Sequence, residues 1–352
     1  MSCSNFRAGL FILIPLGLWL SLFMRMSIKP NDIFKIGSST EFEQCALETF
    51  RYQYTNNEAY REFCNYLKRT KGSVNHISEI PFLPISFFKS IKVATDGSRP
   101  EIVFTSSGTT GERTSQHYVK DTQLYRTSYM TAFEYFYGPI SDYCVLALLP
   151  SYLEREGSSL IYMVDDLIKK SGHRHSGFYL NNLNELEKKI SELEFQGQKT
   201  LLIGVSFALL DLVKCHQFKL KHTTIMETGG MKGRRKEIVR QELHRLLQKG
   251  FGVSHIHSEY GMTELLSQAY SKGNGIFECP PWMKVMARDT EDPLSFSKIE
   301  KTGGINVIDL ANRDSCSFIA TQDLGKVYND GSFEVLGRFD HSDIRGCNLM
   351  AL

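Results

Sequence analysis

The sequence predicts a mixed α/β protein with a largely parallel core sheet, followed by a β-rich sub-domain. Between residues 145 and 257, short apolar runs alternate with longer amphipathic segments. Such alternation is typical of strands and helices that build a parallel α/β sheet. After Pro281 the pattern changes to short strands separated by glycine turns. We therefore expect the last part of the fold to consist mainly of β-strands.

The individual elements follow from the spacing of apolar residues along the chain. The first helix is predicted over 41–69, and the proline-containing stretch 80–85 is predicted to be an extended connector. Further helices are predicted over 183–195, 207–216 and 232–248. The predicted strands are 101–105, 145–149, 200–205, 223–226, 253–257, 317–321 and 332–337.

Composition and charge favour a globular protein and argue against a nucleic-acid partner. Of the 352 residues, 42% are hydrophobic and 23% are charged, which is ordinary for a chain with a sizeable core. The formal net charge is +2, so no basic footprint for nucleic acid is expected. His173, His175, His255 and His257 form two pairs, but no further ligands fall at metal spacing. We interpret them as surface or strand-end histidines.

The cysteine pattern indicates a reducing compartment. Eight cysteines are scattered along the chain, without a Cys-x-x-Cys pair and without zinc-type spacing. In a chain of this length, scattered cysteines are typical of reduced thiols. We therefore expect a cytoplasmic location.

The N-terminal extension, residues 1–25, argues against a cytoplasmic location. Residues 9–24 are apolar and flanked by Arg7 and Arg25, but the run is shorter than the ~18 apolar residues of a comfortable membrane span. No small-x-small cleavage site follows it. Three interpretations stay open: an upstream mis-start with Met26 as the true start, a single-pass anchor, or a signal peptide. Membrane contact is expected only if 9–24 is genuinely present.

The first stretch that carries chemistry is a loop rich in glycine and hydroxyl side chains, directly after the predicted strand 101–105. Glycines allow backbone N–H groups to approach a phosphate, and hydroxyls add further donors. The loop lacks the Gly-Lys-Ser/Thr ending of a Walker loop, and a stretch of this kind taken alone is more often a polar surface turn. Its candidate phosphate-binding residues are Ser106, Ser107, Gly108, Thr109, Thr110 and Gly111.

The second stretch follows the predicted strand 253–257 and contains Tyr260, Gly261, Thr263 and Glu264. An acidic residue just past a strand end lies where α/β proteins bind ligands. Its carboxylate is therefore a candidate ligand for Mg²⁺, and the tyrosine is a candidate to stack on a base. The alternative interpretation is an ordinary helix N-terminus.

The third stretch contains Asp323 and, further on, Arg338 within a Gly-Arg-x-Asp sequence. A carboxylate offers two oxygens suited to a ribose diol, and a guanidinium offers a forked cation suited to phosphate. The alternative is a hairpin turn with a solvated arginine.

The order and spacing of these three stretches together resemble the adenylate-forming superfamily, which includes acyl-CoA synthetases, firefly luciferase and peptide-synthetase adenylation domains. A closer resemblance is to the acyl-protein synthetases of bacterial bioluminescence, the LuxE family. The segments that carry it are 104–111, 147–155, 227–235 and 345–350. The resemblance extends roughly from residue 41 to the C-terminus. It implies an adenylate-forming large domain over 26–337, with mixed sheets flanked by helices, and a truncated hinge and tail over 338–352.

The resemblance also implies an activity. A carboxylic acid, expected to be a long-chain fatty acid, would be activated with ATP and Mg²⁺ to its acyl-AMP. The acyl group would then pass to an enzyme cysteine and on to an acceptor protein, a reductase or a carrier. Cys347, within Arg345-Gly346-Cys347, is the implied nucleophile because a cysteine near the C-terminus is acylated in that family.

The remaining roles are implied by the resemblance residue by residue. The loop 106–111 would hold the β- and γ-phosphates, and Glu264 would bind Mg²⁺. Thr263 would contact the α-phosphate, Asp323 the ribose hydroxyls, and Arg338 a phosphate or ribose oxygen. Asp340 would act as a hinge. The residues expected around the adenine are Gly229, Gly230, Met231, Tyr260 and Gly261.

Two departures from the superfamily pattern leave questions open. The further C-terminal lid domain, with its adenylating lysine, is expected to be absent because the sequence stops shortly after Gly346. Where a Pro-Lys pair usually follows the glycine loop, this chain has Arg113-Thr114. His117, Lys232 and Arg234 are candidates for the missing positive charge. The alternative functions are an acyl-CoA ligase of the phenylacetate-CoA-ligase type and a non-catalytic subunit of a fatty-acid reductase complex.

Overall fold

A computed structural model describes residues 30–97, 99–106, 113–150, 157–229 and 239–339. The α-helices of this part are α1 Ser39–Asn56, α2 Glu58–Tyr66, α3 Phe87–Ser90, α4 Thr122–Tyr137, α5 Ser159–Ser171, α6 Leu183–Phe195, α7 Ser206–Cys215 and α8 Arg240–Phe251. The first seven strands are β1 Leu83–Pro84, β2 Ile102–Thr105, β3 Gln116–Val119, β4 Cys144–Leu148, β5 Gly177–Phe178, β6 Thr200–Val205 and β7 Thr223–Thr228. The other seven are β8 His257–Tyr260, β9 Ala269–Ser271, β10 Ile276–Phe277, β11 Met283–Arg288, β12 Gly303–Asp309, β13 Phe318–Val327 and β14 Phe333–Arg338.

The predicted parallel core is confirmed. Strands β5, β4, β6, β7 and β8 lie side by side in that order and pair in parallel, and β9 closes the sheet antiparallel to β8. Every residue of β4 and of β6 is buried. These strands are continuous apolar runs because helices cover both faces of a parallel sheet. None of the helices in the described part is long and apolar enough to span a membrane.

The predicted β-rich sub-domain is also confirmed. Strands β10, β14, β13, β12 and β11 form an antiparallel sheet, and β1 adds to β13 in parallel. The register between β13 and β14 shifts at Gly325. A Cβ atom there would lie 2.2 Å from the carbonyl oxygen of Glu334, so the close approach of the two strands requires glycine.

The two N-terminal helices are fastened to the antiparallel sheet by buried polar contacts as well as by apolar packing. The Gln53 side-chain nitrogen donates to the carbonyl oxygen of Asn312 at 3.0 Å, and that of Asn57 donates to the carbonyl oxygen of Ser315 at 2.8 Å. The ring of Tyr60 stacks on Phe318 with 5.9 Å between centroids. Helices distant in sequence from the sheet are therefore part of the same core.

Three predicted elements differ in the structure. The helix predicted over 41–69 is two helices, α1 and α2, separated by Asn57. This residue is extended, and its side-chain oxygen caps α2 by accepting from the Tyr60 N–H at 3.1 Å. The periodicity did not reveal the break because apolar residues continue at helical spacing on both sides of it.

The helix predicted over 232–248 begins only at Arg240, because Val239 has an extended backbone, and it continues to Phe251. Residues 230–238 lie outside the described part. The strand predicted over 253–257 is instead His257–Tyr260, which pairs with β7 and β9. Ser258 and Glu259, which follow the predicted strand in sequence, lie within the observed strand, and His244 and Thr228 satisfy their polar side chains.

A buried ion pair fastens α8 to the parallel sheet. Glu227 on β7 accepts from Arg240 Nη1 at 2.9 Å, and His244 Nε2 lies 3.6 Å from the same carboxylate oxygen. The hydroxyl of Ser206 lies 3.2 Å from the other oxygen, to which it donates. Burial by itself raises the pKa of Glu227, but the contacts with His244 and Arg240 outweigh it and hold this pKa below its ordinary value.

Replacement of Glu227 by Gln is expected to lower the free energy of unfolding at pH 7 by roughly 2 kcal/mol, the range for hydrogen bonds to charged groups. Because the folded-state pKa of Glu227 is lowered, its contribution is fully present above the unfolded value of about 4.3 and is lost as pH falls through the folded value. Urea denaturation should therefore show a gap between variant and wild type that is largest at neutral pH and shrinks below about pH 4.

The matched control is Glu242→Gln on α8, whose partner Arg245 is exposed. That change should leave the denaturation midpoint nearly unchanged because solvent screens the pair. A gap for Glu227→Gln that stays constant from neutral to acid pH would contradict the assignment of a charged, paired carboxylate.

Candidate functional site

Three residues predicted from two separate stretches of sequence meet at one place. The hydroxyl of Tyr260, at the end of β8, donates to Asp323 Oδ2 at 2.8 Å, and Arg338 Nε donates to Asp323 Oδ1 at 3.2 Å. Asp323 on β13 and Arg338 on β14 are partners in the antiparallel register. The Arg338 side chain is 79% exposed, whereas that of Asp323 is 10% exposed. A buried carboxylate therefore holds a solvent-facing guanidinium at the edge of the site.

The ring of Tyr260 is fixed by aromatic contacts that the sequence analysis missed. Phe277 and Phe333 pack edge-on against it, with centroids at 5.8 and 5.5 Å. Burial, together with the charge of Asp323, raises the pKa of Tyr260 well above its ordinary value. The hydroxyl therefore stays protonated and remains a donor to the carboxylate.

Glu264 lies in the turn after β8 and is buried. Burial raises its pKa, against the opposing effects of a hydrogen bond with Ser115 and the positive charges of Arg338 and Lys89. Neither Ser115 nor Lys89 was singled out from the sequence. The effect of Arg338 shows that Glu264 lies within electrostatic reach of the Tyr260–Asp323–Arg338 cluster.

The described start of the glycine-rich loop lies beside the acidic turn. The Ser115 N–H donates to Ser106 Oγ at 2.9 Å, and the Ser106 N–H donates to the Ser115 carbonyl oxygen at 3.1 Å. His117, two residues after Ser115, lies 2.8 Å from the Thr263 carbonyl oxygen, so the base of this loop and the turn are adjacent. The other predicted loop residues, Ser107, Gly108, Thr109, Thr110 and Gly111, lie outside the described residues.

His117 is not the missing positive charge. Its ring is fully buried, with Nδ1 2.8 Å from the Thr263 carbonyl oxygen and Nε2 2.9 Å from Asn312 Oδ1. Burial lowers the pKa of His117 to about 4, so the ring is neutral near pH 7. The other two candidates, Lys232 and Arg234, lie outside the described residues.

Glycines allow close approaches at the ends of β7 and β8. Gly229 has a φ of +65°, which favours glycine, and its carbonyl oxygen accepts from the Ser206 hydroxyl at 3.0 Å. A Cβ atom on Gly261 would lie 2.4 Å from a carboxylate oxygen of Glu259, whose other oxygen accepts from Thr228. Gly230 and Met231, predicted near the adenine, lie outside the described residues.

The donors around Glu264 fit a magnesium ion that takes its remaining ligands from substrate and water. Among the described residues, no group of three or more His, Cys, Asp or Glu side chains could hold a metal by itself. Mg²⁺ is usually bound through one or two carboxylates together with phosphate oxygens and waters. Glu264 would supply one such carboxylate, and a bound cation would favour the ionised form of this buried group.

Most cysteines of the described part are poor nucleophiles. Burial raises the pKa of Cys45 and Cys144 to about 11 and that of Cys64 and Cys279 to about 12, and Cys316 is raised as well. Within the part of the chain that the structure covers, only Cys215 is exposed. Cys3 and the predicted nucleophile Cys347 lie outside it.

The chain is similar to known proteins both in sequence and in fold. Residues 26–151 match the family model for acyl-protein synthetase, LuxE. A long-chain-fatty-acid–luciferin-component ligase of Aliivibrio fischeri is 23% identical over 329 residues, which are 86% of this chain and 85% of the relative. A ligase of the same name from Photorhabdus luminescens is 34% identical over 70 residues, 20% of this chain and 60% of the relative.

Two solved structures show the same fold at low sequence identity. The 2-hydroxyisobutyryl-CoA ligase in complex with 2-HIB-AMP and CoA superposes with a TM-score of 0.64 at 10% identity, over 86% of this chain and 71% of that one. ATP-bound MatB from Rhodopseudomonas palustris superposes with a TM-score of 0.53 at 17% identity, over 69% of this chain. The match spans about half the length of MatB, 49%.

The fold is therefore that of the adenylate-forming enzymes. In sequence, residues 26–151 are similar to the acyl-protein synthetase family, LuxE, and both relatives named above are ligases.

Proposed function

We propose that this protein activates a long-chain fatty acid with ATP to its acyl-AMP and then passes the acyl group, through Cys347, to an acceptor protein. The observation that carries the proposal is the meeting of Tyr260, Asp323 and Arg338 beside the buried Glu264. The names of the two ligases similar in sequence support a long-chain fatty acid as substrate and a protein component as acceptor.

Asp323 retains the capacity to bind a ribose. An ionised carboxylate has about four lone-pair sites, of which Tyr260 and Arg338 occupy two. The remaining two match the two hydroxyls of a ribose diol. Tyr260 and Arg338 hold the carboxylate from both sides, so its acceptors are already oriented before nucleotide binds.

In the activation step, a carboxylate oxygen of the fatty acid attacks the α-phosphorus of ATP and pyrophosphate leaves. Negative charge accumulates on the phosphate oxygens, so positioned cations and donors should lower the barrier most. In this proposal Arg338 offers its exposed guanidinium to a phosphate or ribose oxygen, and Thr263 contacts the α-phosphate. The loop 106–111 would hold the β- and γ-phosphates. The adenine would be surrounded by Gly229, Gly230, Met231, Tyr260 and Gly261.

A magnesium ion held by Glu264 would neutralise charge on the phosphate groups when bound. The buried position of this carboxylate suits that task, because low solvent access strengthens its interaction with a cation. His117 is neutral and therefore brings no positive charge to the site. The positive charges that act on the Glu264 carboxylate are those of Arg338 and Lys89.

In the transfer step, the thiolate of Cys347 attacks the acyl carbonyl carbon of the acyl-AMP. The bond from that carbon to the AMP oxygen breaks, AMP leaves with the electron pair, and a thioester forms. A nucleophile of the acceptor, a reductase or a carrier protein, then takes the acyl group. The five cysteines with raised pKa values are unsuited to this role because the thiolate is the reactive form. The free thiols also fit work in the reducing cytoplasm.

The wild-type chain should catalyse exchange of pyrophosphate into ATP that depends on tetradecanoic acid. Glu264→Gln preserves volume but removes the charge, and should reduce this exchange at least ~10²-fold, a loss of about 3 kcal/mol of transition-state stabilisation. The measurement is isotope exchange at saturating ATP, with magnesium varied.

The control for the same chemical change is Glu194→Gln on α6, whose carboxylate accepts from the His222 N–H and the Thr223 hydroxyl, outside the site. Exchange by Glu264→Gln within threefold of wild type would exclude Glu264 as the magnesium ligand. No acid-dependent exchange by the wild type would refute the activity itself, and acyl-CoA formation on adding CoA would favour the CoA-ligase alternative.

Tyr260→Phe removes a buried donor from Asp323 and should raise the KM for ATP about tenfold, as expected for a hydrogen bond to a charged group worth about 1.5 kcal/mol. Tyr129→Phe is the matched control, because its buried hydroxyl donates to Asp166 Oδ2 at 2.7 Å on other elements. Both variants should lose similar thermal stability, whereas only the first should weaken ATP use. Equal KM values in the two variants would argue against Asp323 as a nucleotide ligand.

Cys347→Ser should still release pyrophosphate but should no longer retain labelled acyl groups after denaturation, since an ester-forming hydroxyl is a far weaker nucleophile than a thiolate. Cys215→Ser, which removes the exposed described thiol, should label like wild type. The label is measured by gel autoradiography with and without hydroxylamine. Hydroxylamine-sensitive labelling of Cys347→Ser at the wild-type level would assign the nucleophile to another cysteine.

A further inference from the structure

The backbone of the turn that contains Thr263 and Glu264 is bound by the side chain of a buried asparagine. Asn312 ends the short 3-10 helix Leu310–Asn312 that follows β12. Its side-chain nitrogen donates to the Glu264 carbonyl oxygen at 2.7 Å and to the Cys316 carbonyl oxygen at 2.9 Å. These two acceptors fix the orientation of the amide, so that its oxygen faces His117.

His117, on β3, contacts the same turn one residue earlier. Its Nδ1 lies 2.8 Å from the Thr263 carbonyl oxygen and its Nε2 lies 2.9 Å from Asn312 Oδ1. The ring is fully buried and packs edge-on against Phe88, with centroids 5.9 Å apart. A neutral ring has a single N–H, which on Nδ1 donates to the Thr263 carbonyl oxygen. The two consecutive carbonyl oxygens of Thr263 and Glu264 are then bound by His117 and Asn312, respectively.

Asp309, at the end of β12, binds the backbone two and three residues after Glu264. Its Oδ2 accepts from the Leu266 N–H at 2.7 Å and the Ser267 N–H at 3.0 Å, and its Oδ1 accepts from the Ala311 N–H at 3.1 Å. The segment after β12 thus binds both carbonyl oxygens and N–H groups of the turn. These buried bonds resist movement of the turn, because each one that is broken would leave a polar group unsatisfied.

A bond to a carbonyl oxygen fixes the plane of the peptide that follows it, and thereby the direction of the neighbouring side chains. The bonds at Thr263 and Glu264 fix the peptide planes on either side of Glu264. A displacement of about 1 Å in a reacting group can cost ~10²-fold in rate even when the change lies away from the chemistry. The pair is therefore placed to control where the Glu264 and Thr263 side chains point.

We propose that His117 and Asn312 are positioning residues, which act on the adenylation step through the backbone of Thr263 and Glu264 without touching substrate. The inference rests on the proposed function, because it assigns these two residues a task within that reaction. Since the turn geometry matters most when charge develops, their loss should lower kcat more than it changes the KM for ATP.

The test uses the 352-residue chain with a matched pair of substitutions. Asn312→Asp keeps the oxygen that faces His117 and removes the nitrogen that donates to Glu264. Asn57→Asp makes the same change at another fully buried asparagine, whose nitrogen donates to the Ser315 carbonyl oxygen and whose oxygen still caps α2. We expect at least a ~10-fold lower kcat of pyrophosphate exchange for the first, with KM within about threefold, and an unchanged kcat for the second.

A second pair keeps the test decisive if Asn312→Asp does not fold. In His117→Asn the amide nitrogen can take the place of ring Nδ1, and in His117→Gln that of ring Nε2. Both remove the ring, but only the first retains a donor to the Thr263 carbonyl oxygen. We expect kcat to be at least ~10-fold higher in His117→Asn than in His117→Gln at equal melting temperature. Equal kcat values would overturn the inference.

Hydrogen–deuterium exchange over residues 262–267 separates the inference from the proposed function, because it requires no turnover. Exchange there should be at least ~10-fold faster in Asn312→Asp than in wild type or Asn57→Asp. Unchanged exchange would overturn the positioning role even in an active enzyme. Faster exchange in a chain whose wild type shows no pyrophosphate exchange would support the hold on the turn and refute only the proposed reaction.

Discussion

The hydrogen bond from Tyr260 to Asp323 is the contact on which the candidate site depends. Tyr260 ends a strand of the parallel sheet, whereas Asp323 lies on the antiparallel sheet. The bond therefore joins the two sheets. Its energy is substantial because the carboxylate is buried, and a buried charge that lost this donor would be left without compensation. Arg338 contacts Asp323 from the solvent side. The Asp323 carboxylate therefore fixes both the ring of Tyr260 and the exposed guanidinium of Arg338.

Around this contact, buried polar side chains do most of the positioning. Asn312, His117 and Asp309 bind the backbone of the acidic turn, and Ser115 links that turn to the start of the glycine-rich loop. Hydrogen bonds in such an environment are electrostatically stronger than in water, but every member must be satisfied. The network explains why the site residues share one geometry although they come from five separate segments of the chain.

Burial also decides the ionisation state of histidine, cysteine and glutamate side chains, which the amino-acid sequence alone does not reveal. His117 is neutral because desolvation lowers its pKa to about 4, so it supports the turn as a hydrogen-bonding group and not as a cation. The buried cysteines are kept as thiols for the same reason, since the low-dielectric interior disfavours the thiolate. Glu264 differs because burial raises its pKa while nearby cations oppose this effect. A further positive charge would favour the ionised form of its carboxylate.

The sequence by itself predicted the fold class, the parallel core, the β-rich sub-domain and the bounds of several elements, including helix α6 and strand β6, because apolar periodicity is a local property. Helices α4 and α5 were not predicted. The sequence also singled out Tyr260, Glu264, Asp323 and Arg338 as candidates from their order along the chain. An acidic residue directly after the apolar strand 305–308 was a signal that could have revealed Asp309. Only the tertiary structure decided that Tyr260 lies within a strand and donates to Asp323, that His117 is neutral, and that Asn312 binds the acidic turn. Those properties depend on partners 48 to 195 residues apart and on exclusion of water, neither of which a local pattern encodes.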